Sequence, residues 1–407
     1  MRQRTLLAVR ASFFTFATDL RDEGVETVLD NLQGRAGVDG LTLAVAYHDA
    51  RDVFPHNPVR RVRFLERGRV FFRPDDSRYR GLRLQPVVSK LVEDGCPLAE
   101  AAAATARRDM RLTAWTVLLH SDLLGFEHPS CAPRNAFGDP YLTDLCPANP
   151  DVREYVRALV GDVARRDVAA VQTESLHYHV LDHGYHHERF FEDIGAVGAE
   201  LLGLCFCEHC IAAAAARGVD GAGLQRFARA ELERRFDAAP EPDDLDDFGA
   251  LAGGELAGYV EARMNTVSSL IEDAVACAAE GGAELLVEDL SGAIKGYATG
   301  RPEGAPAPAS AWRLGLDLPR VVAAGAGVMA IAYAEDPERI RLDLEAYRAI
   351  GPLAAVALRP MPPDCRSAEN LARKMTLARE HEVGEVALYH YGLCRLSALD
   401  WTRAALT

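Results

Sequence analysis

N-P-D-V-R-E-Y-V-R-A-L-V-G-D-V-A-R-R-D-V-A-A-V-Q-T-E-S, residues 149–175, holds one complete helix-to-strand unit. Asn149 is a helix cap and Pro150 suits the first helical position, where no backbone N–H is needed. Val152, Tyr155, Val156, Leu159 and Val163 then recur at helical spacing, so one face of the helix is apolar and must pack on something. The run at 169–175 that follows is short and apolar until its last residues, which suits a strand buried on both faces.

Similar β-rich runs lie on either side, at 6–12, 41–47, 112–119, 284–290, 327–334, 353–359 and 385–391, and Ala- and Arg-rich helical stretches separate most of them. Strands alternating with helices imply parallel pairing, and eight such units predict a closed (β/α)8 TIM barrel, an α/β fold. Eight minimal units take roughly 250 residues. The chain has 407, so about 150 belong to insertions. One falls at about 49–90 and the largest at 176–283, within a single barrel domain spanning 1–407. Long loops after strands two and four are where a barrel builds its active site. The acidic run E-P-D-D-L-D-D-F at 241–248 lacks the glycine and ligand spacing of a calcium loop and is expected to be a solvated loop or cap.

Composition narrows the partners. The formal net charge is −15, and no basic stripe offsets it, which excludes nucleic acid as a partner. No run approaches the length of a membrane span. The basic N-terminal start is interrupted by Arg10 and followed by no small-x-small site, so it is expected to enter a first strand in a cytoplasmic protein. A homo-oligomer is compatible with the composition and not required by it.

Nine cysteines are too scattered for a disulfide framework. Three of them, Cys205, Cys207 and Cys210, form C-F-C-E-H-C. With Cys146 of D-L-C-P-A-N-P, or His209, as fourth ligand they make a tetrahedral structural zinc site; the alternative is a set of packed thiols. Cys96, Cys131, Cys277, Cys365 and Cys394 are then reduced thiols.

The fourth strand ends V-Q-T-E-S-L-H-Y-H. Alternation puts Gln172 and Glu174 on one face, and Glu174, at the carboxyl end, is the first choice for a general acid/base. A carboxylate salt-bridged at the barrel rim is the alternative. His177, His179, Asp182, His183, His186 and His187 follow closely, as metal ligands, as hydrogen-bond donors in a polar pocket, or as an exposed loop. Other strand ends carry Tyr47 and His48, then His56 and Asn57 in P-H-N-P, Trp115 and His120, and Tyr389, His390 and Tyr391. Aromatic faces stack on sugar rings, and imidazoles and amides bond hydroxyls, so the set is a candidate carbohydrate site. There is no Walker loop, dinucleotide glycine fingerprint, G-x-S-x-G or H-E-x-x-H.

A glutamate ending strand four, a later C-x-C-x-x-C and an upstream cysteine in C-P-x-x-P resemble the zinc-bearing family 42 β-galactosidases. The stretches A-Y-H-D-A-R-D-V-F-P-H-N-P, N-A-F-G-D-P-Y-L-T-D-L-C-P-A-N-P, L-C-F-C-E-H-C and A-L-Y-H-Y-G-L are similar to a group of hypothetical glycosyl-hydrolase-like barrels common in actinobacteria. The resemblance implies Cys146, Cys205, Cys207 and Cys210 as zinc ligands and Glu174 as proton donor. It departs from the family at Thr173, where an asparagine normally precedes the donor, and in strand seven, which offers Arg359 and Asp364 in place of a glutamate nucleophile.

Retaining hydrolysis needs two carboxylates about 5–5.5 Å apart and inversion about 6.5–9.5 Å. The second is sought in L-L-V-E-D-L-S-G, where Glu288 and Asp289 point to opposite faces, so one must enter the barrel. Glu335 and Asp336 are weaker candidates, because D-P-E-R is a natural helix start. The expected function is a glycoside hydrolase acting on a small carbohydrate or glycoside through Glu174 with Asp289 or Glu288. A metal-dependent hydrolase using the histidine loop and a non-catalytic saccharide-binding barrel are the alternatives.

Overall fold

The computed structural model describes residues 9–181, 189–295 and 299–407. Its centre is eight parallel strands, β1 (Arg10–Thr15), β2 (Gly40–Tyr47), β3 (Arg111–Val117), β4 (Ala170–Glu174), β5 (Glu284–Asp289), β6 (Gly327–Ile331), β7 (Ala355–Leu358) and β8 (Glu385–Leu388). Each pairs with the next, and β1 pairs with both β2 (Ser12 with Gly40) and β8 (Arg10 with Glu385), which closes the ring. This is the (β/α)8 barrel. A side chain at Gly40 would place its Cβ 2.7 Å from that of Ser12, so only glycine lets these two strands approach.

Strand one begins four residues later than the run at 6–12. Its core residues are Phe13 and Phe14, fully buried on opposite faces, while Arg10 sits exposed at the amino-terminal rim. Alternation across the sheet sorts the core into two layers. Phe13, Leu43, Val171, Val287, Val356 and Val386 meet the surrounding helices, whereas Phe14, Trp115 and Met329 fill the barrel with four small residues, Ala44, Ala355, Ala357 and Ala387. The helix Pro150–Val163 forms as its sequence dictates. The Asn149 side chain accepts from the backbone N–H of Asp151 (2.9 Å) and Val152 (3.3 Å), and the apolar face is buried.

Between β2 and β3 the chain forms a small antiparallel pair, Arg51–Val53 with Val62–Phe64, and lays Arg69–Val70 antiparallel along β2. Between β4 and β5 it forms the helices Gly195–Gly203, Glu208–Ala215, Gly221–Asp237 and Glu255–Gly281, with an apolar core of their own around Leu201, Leu232, Phe248 and Tyr259. The acidic run at 241–248 is largely at the surface, and Asp243 anchors it by accepting from Arg235 (2.6 Å) and the Val197 N–H. Among the described residues no single helix is long and apolar enough to cross a membrane.

Candidate active site

Glu174 ends β4 and Glu288 lies in β5. Thr173 pairs with Val287, so the two glutamates are level on adjacent strands, and both side chains belong to the face that lines the barrel. Their surroundings differ. Glu174 Oε2 accepts from the indole N–H of Trp115 at 2.6 Å, and burial raises its pKa while that bond and the charge of His120 pull it back. Glu288 is 4% exposed and its Oε2 accepts from Gln172 Nε2 at 2.8 Å. Burial, reinforced by the charge of Glu174, drives its pKa well above the usual carboxylate range. Gln172 joins the site, and so does Tyr333, whose pKa is raised by burial and the nearby Glu288 and which the sequence did not single out. Gln172 was legible as the residue sharing a face with Glu174.

Asp289 is placed elsewhere. Its side chain turns to the outer layer, where Oδ2 accepts from Tyr347 of the helix Pro337–Ile350 at 2.6 Å and Oδ1 accepts from the Ser291 N–H at 2.9 Å. Of the adjacent pair it is Glu288 that enters the barrel. Asp336 caps that helix through the Glu338 N–H.

Trp115 is 1% exposed and lies inside the barrel, in edge contact with Phe14 (5.0 Å between ring centres) and Tyr47 (4.7 Å). It is therefore placed to act on Glu174 through its N–H, with no open face for a sugar to stack on. Tyr389 packs at 6.0 Å from the indole. His48, His120, His179 and His177 form an edge-to-face chain along the rim of β2 to β4, with centre separations of 4.9, 5.1 and 5.3 Å. Asp144 Oδ1 lies 3.1 Å from Nδ1 of His120 and 2.5 Å from Nδ1 of His179. The two imidazoles hold the Asp144 carboxyl far below the usual range despite its burial. Asp144 opens the stretch D-L-C-P-A-N-P, but no role of its own was legible there. Asp182, His183, His186 and His187 lie outside the described residues.

His56 and His390 fall on the β1–β8 side. His390 is fully buried against Phe16, 4.0 Å between ring centres, and burial keeps it neutral. His56 Nδ1 meets the Cys394 carbonyl at 3.0 Å, and its Nε2 lies 3.4 Å from Glu23 Oε1. Among the described residues His390 Nε2, Asp19 Oδ1 and Gln172 Oε1 are buried without a hydrogen-bond partner. Asn57 shapes the backbone: its Oδ1 accepts from Val59 and Arg60 N–H and its Nδ2 donates to Asp22. That explains why the motif P-H-N-P needs an asparagine without any ligand.

The four cysteines converge. Cys146 Sγ lies 3.9, 3.6 and 3.5 Å from those of Cys205, Cys207 and Cys210, and all four are buried. Tetrahedral thiolates at about 2.3 Å from a zinc ion stand about 3.8 Å apart, so the cluster has the dimensions of a metal site. Arg134 N–H reaches Cys205 Sγ at 3.3 Å and the Tyr178 hydroxyl reaches Cys210 Sγ at 3.2 Å, the outer contacts that stabilise thiolate charge. His209 is outside the cluster.

No family model and no curated protein matches the sequence. The fold is similar to the catalytic domain of a β-amylase from Paenibacillus polymyxa, with a TM-score of 0.55 and 10% identity over 98% of this chain and 99% of that one. It is also similar to a β-galactosidase from the psychrophilic Marinomonas ef1, with a TM-score of 0.54 and 12% identity over 97% of this chain and 59% of that one. At these identities the likeness is one of fold, and it does not bear out the resemblance to family 42 or to the actinobacterial group. The chain is a (β/α)8 barrel of the architecture these two enzymes share, with a paired-glutamate mouth and a metal-sized cysteine cluster beside it.

Proposed function

We propose that the protein is a glycoside hydrolase in which Glu174 and Glu288 divide the work. The observation that carries this reading is the pair itself: a buried carboxyl and a half-buried one, level on adjacent strands at the carboxyl end of the barrel, in unequal surroundings. Adjacent strands run about 4.8 Å apart, so two level side chains on one face can reach the short carboxylate separation of retaining enzymes. Glu288, the more deeply buried, carries the proton at rest, and Glu174, with an indole donor and His120 beside it, carries the charge. Glu288 is then the group that protonates the departing glycosidic oxygen and Glu174 is the nucleophile, in place of the proton-donor role that the family likeness implies for Glu174. In the first step Glu174 bonds the anomeric carbon as the C–O bond to the leaving group breaks and Glu288 gives up its proton. In the second, Glu288 takes a proton from water, which displaces Glu174.

The fold likeness to two glycosidases supports the same reading, as do the unpartnered polar atoms near the β1–β8 side, which a hydroxyl-rich ligand or water would satisfy. The cysteine cluster is proposed as a structural zinc site, because four thiolates leave no open position for chemistry. The test is turnover of a panel of aryl and alkyl glycosides by the wild type and by Glu174→Gln. The expected result is cleavage with retained anomeric configuration and no turnover in the variant at unchanged fold and zinc content. A fully active Glu174→Gln sinks the assignment.

A further inference from the structure

We propose a second metal site, distinct from the cysteines, formed by His120, Asp144 and His179 and suited to a divalent first-row transition-metal ion. His120 lies just after β3, Asp144 farther along the same connection ahead of the helix Pro150–Val163, and His179 just after β4. Their side chains are about nine-tenths buried or more, at 11%, 9% and 4% exposed. One ligand atom from each lies within 4.8 Å of the other two.

The arrangement asks for a cation at its centre. Both imidazoles aim Nδ1 at the same oxygen, Asp144 Oδ1, at 3.1 and 2.5 Å, with their rings nearly perpendicular at 79°. The other carboxylate oxygen is occupied by the Thr143 hydroxyl at 3.0 Å. Far from the proposed ion, His179 Nε2 sits 3.1 Å from Ser175 Oγ, the outer contact that fixes which nitrogen of a metal-bound histidine faces the ion. Two neutral imidazoles and one carboxylate suit zinc, cobalt, iron or nickel and leave coordination positions open. Asp144 and His179 also line a cavity of about 290 Å³ with Tyr141 and Phe126, so an exogenous oxygen ligand can reach those positions. Ligation through Nδ1 puts the single proton of each neutral ring on Nε2, and in His179 that nitrogen faces Ser175 Oγ. The inference is independent of the hydrolase reading, because it concerns occupancy and not turnover.

The experiment is titration of the metal-stripped full-length chain with Co²⁺, followed by absorbance, and with Zn²⁺, followed by elemental analysis. Two ions per chain are expected. One gives the near-ultraviolet thiolate-to-cobalt band of the cysteine cluster, and the other gives only weak visible bands. His120→Gln and His179→Gln each abolish the second ion while the thiolate band, which reports an intact fold, persists. A single ion in the wild type, or a second ion that persists in both variants, overturns the proposal. Should a histidine variant lose the thiolate band as well, Ser175→Ala decides. The second ion is expected to bind about 10–100-fold more weakly in it, and unchanged affinity overturns the site.

Discussion

The indole N–H of Trp115 donates to Glu174 Oε2 at 2.6 Å from a ring sealed inside the barrel. A donor held this firmly favours the ionised carboxylate and opposes the burial that would otherwise protonate it. Trp115→Phe keeps an aromatic ring but removes the donor, so the Glu174 pKa rises. If Glu174 must be ionised to react, the acidic limb of the kcat/KM profile moves to higher pH and the alkaline limb stays in place. An unmoved acidic limb contradicts the nucleophile role.

Glu288→Gln separates the two carboxyls by leaving-group chemistry. Activated aryl glycosides need little protonation, so they retain most of their turnover in the first step, while alkyl glycosides lose on the order of 10²–10⁴-fold. Equal losses on both substrates argue against a proton-donor role.

The same variant should report on stability. The folded-state pKa of Glu288 is raised, so its favourable contribution is complete below the unfolded value of about 4.3 and is lost as pH rises through the folded value, beyond which a buried charge remains as a cost. Glu288→Gln escapes that cost. Chemical unfolding should show it more stable than the wild type at pH 8, by about 0.5–2 kcal/mol, with the advantage vanishing near pH 4. An advantage independent of pH would place its origin in packing.

Asp289→Ala tests the opposite face of the same strand. It removes the acceptor of the Tyr347 hydroxyl and the Ser291 N–H, both buried, and should cost about 1–3 kcal/mol. Activity per folded molecule should be unchanged. A loss of kcat at full folding would bring Asp289 back into the chemistry.

Zinc removal should loosen the β4–β5 insertion. At free zinc about 1,000-fold above Kd the ion contributes about 4 kcal/mol, so stripping it or making Cys207→Ser should lower Tm in a zinc-dependent way. A Cys207→Ser variant with wild-type Tm and wild-type zinc content would place the ion elsewhere.

The barrel was legible because each strand run kept its own signature, and the unit at 149–175 was legible down to its cap, since Asn149, Pro150 and the apolar spacing are local. Strand one slipped because the burial of Phe13 and Phe14 depends on strands β2 and β8, hundreds of residues away in the latter case. Glu288 and Asp289 could be set on opposite faces by alternation, but which face was inner depended on the register with β4. Asp144 was invisible for another reason. A lone aspartate acquires its role only when loops after two strands bring His120 and His179 to it. Trp115 was found but misplaced, because a tryptophan near a strand end reads alike whether it stands on the rim or beneath it.

The four alanines that share the barrel interior with Phe14 and Trp115 make the packing around the site tunable. Ala44 stands level with Trp115 on the neighbouring strand and the other three share its cluster, so the room in which the indole N–H meets Glu174 is set by methyl-sized residues. Enlarging Ala44, Ala355, Ala357 or Ala387 by a methylene or two would displace the ring and tilt the donor. A lineage could thereby shift its working pH while every reacting group stayed the same.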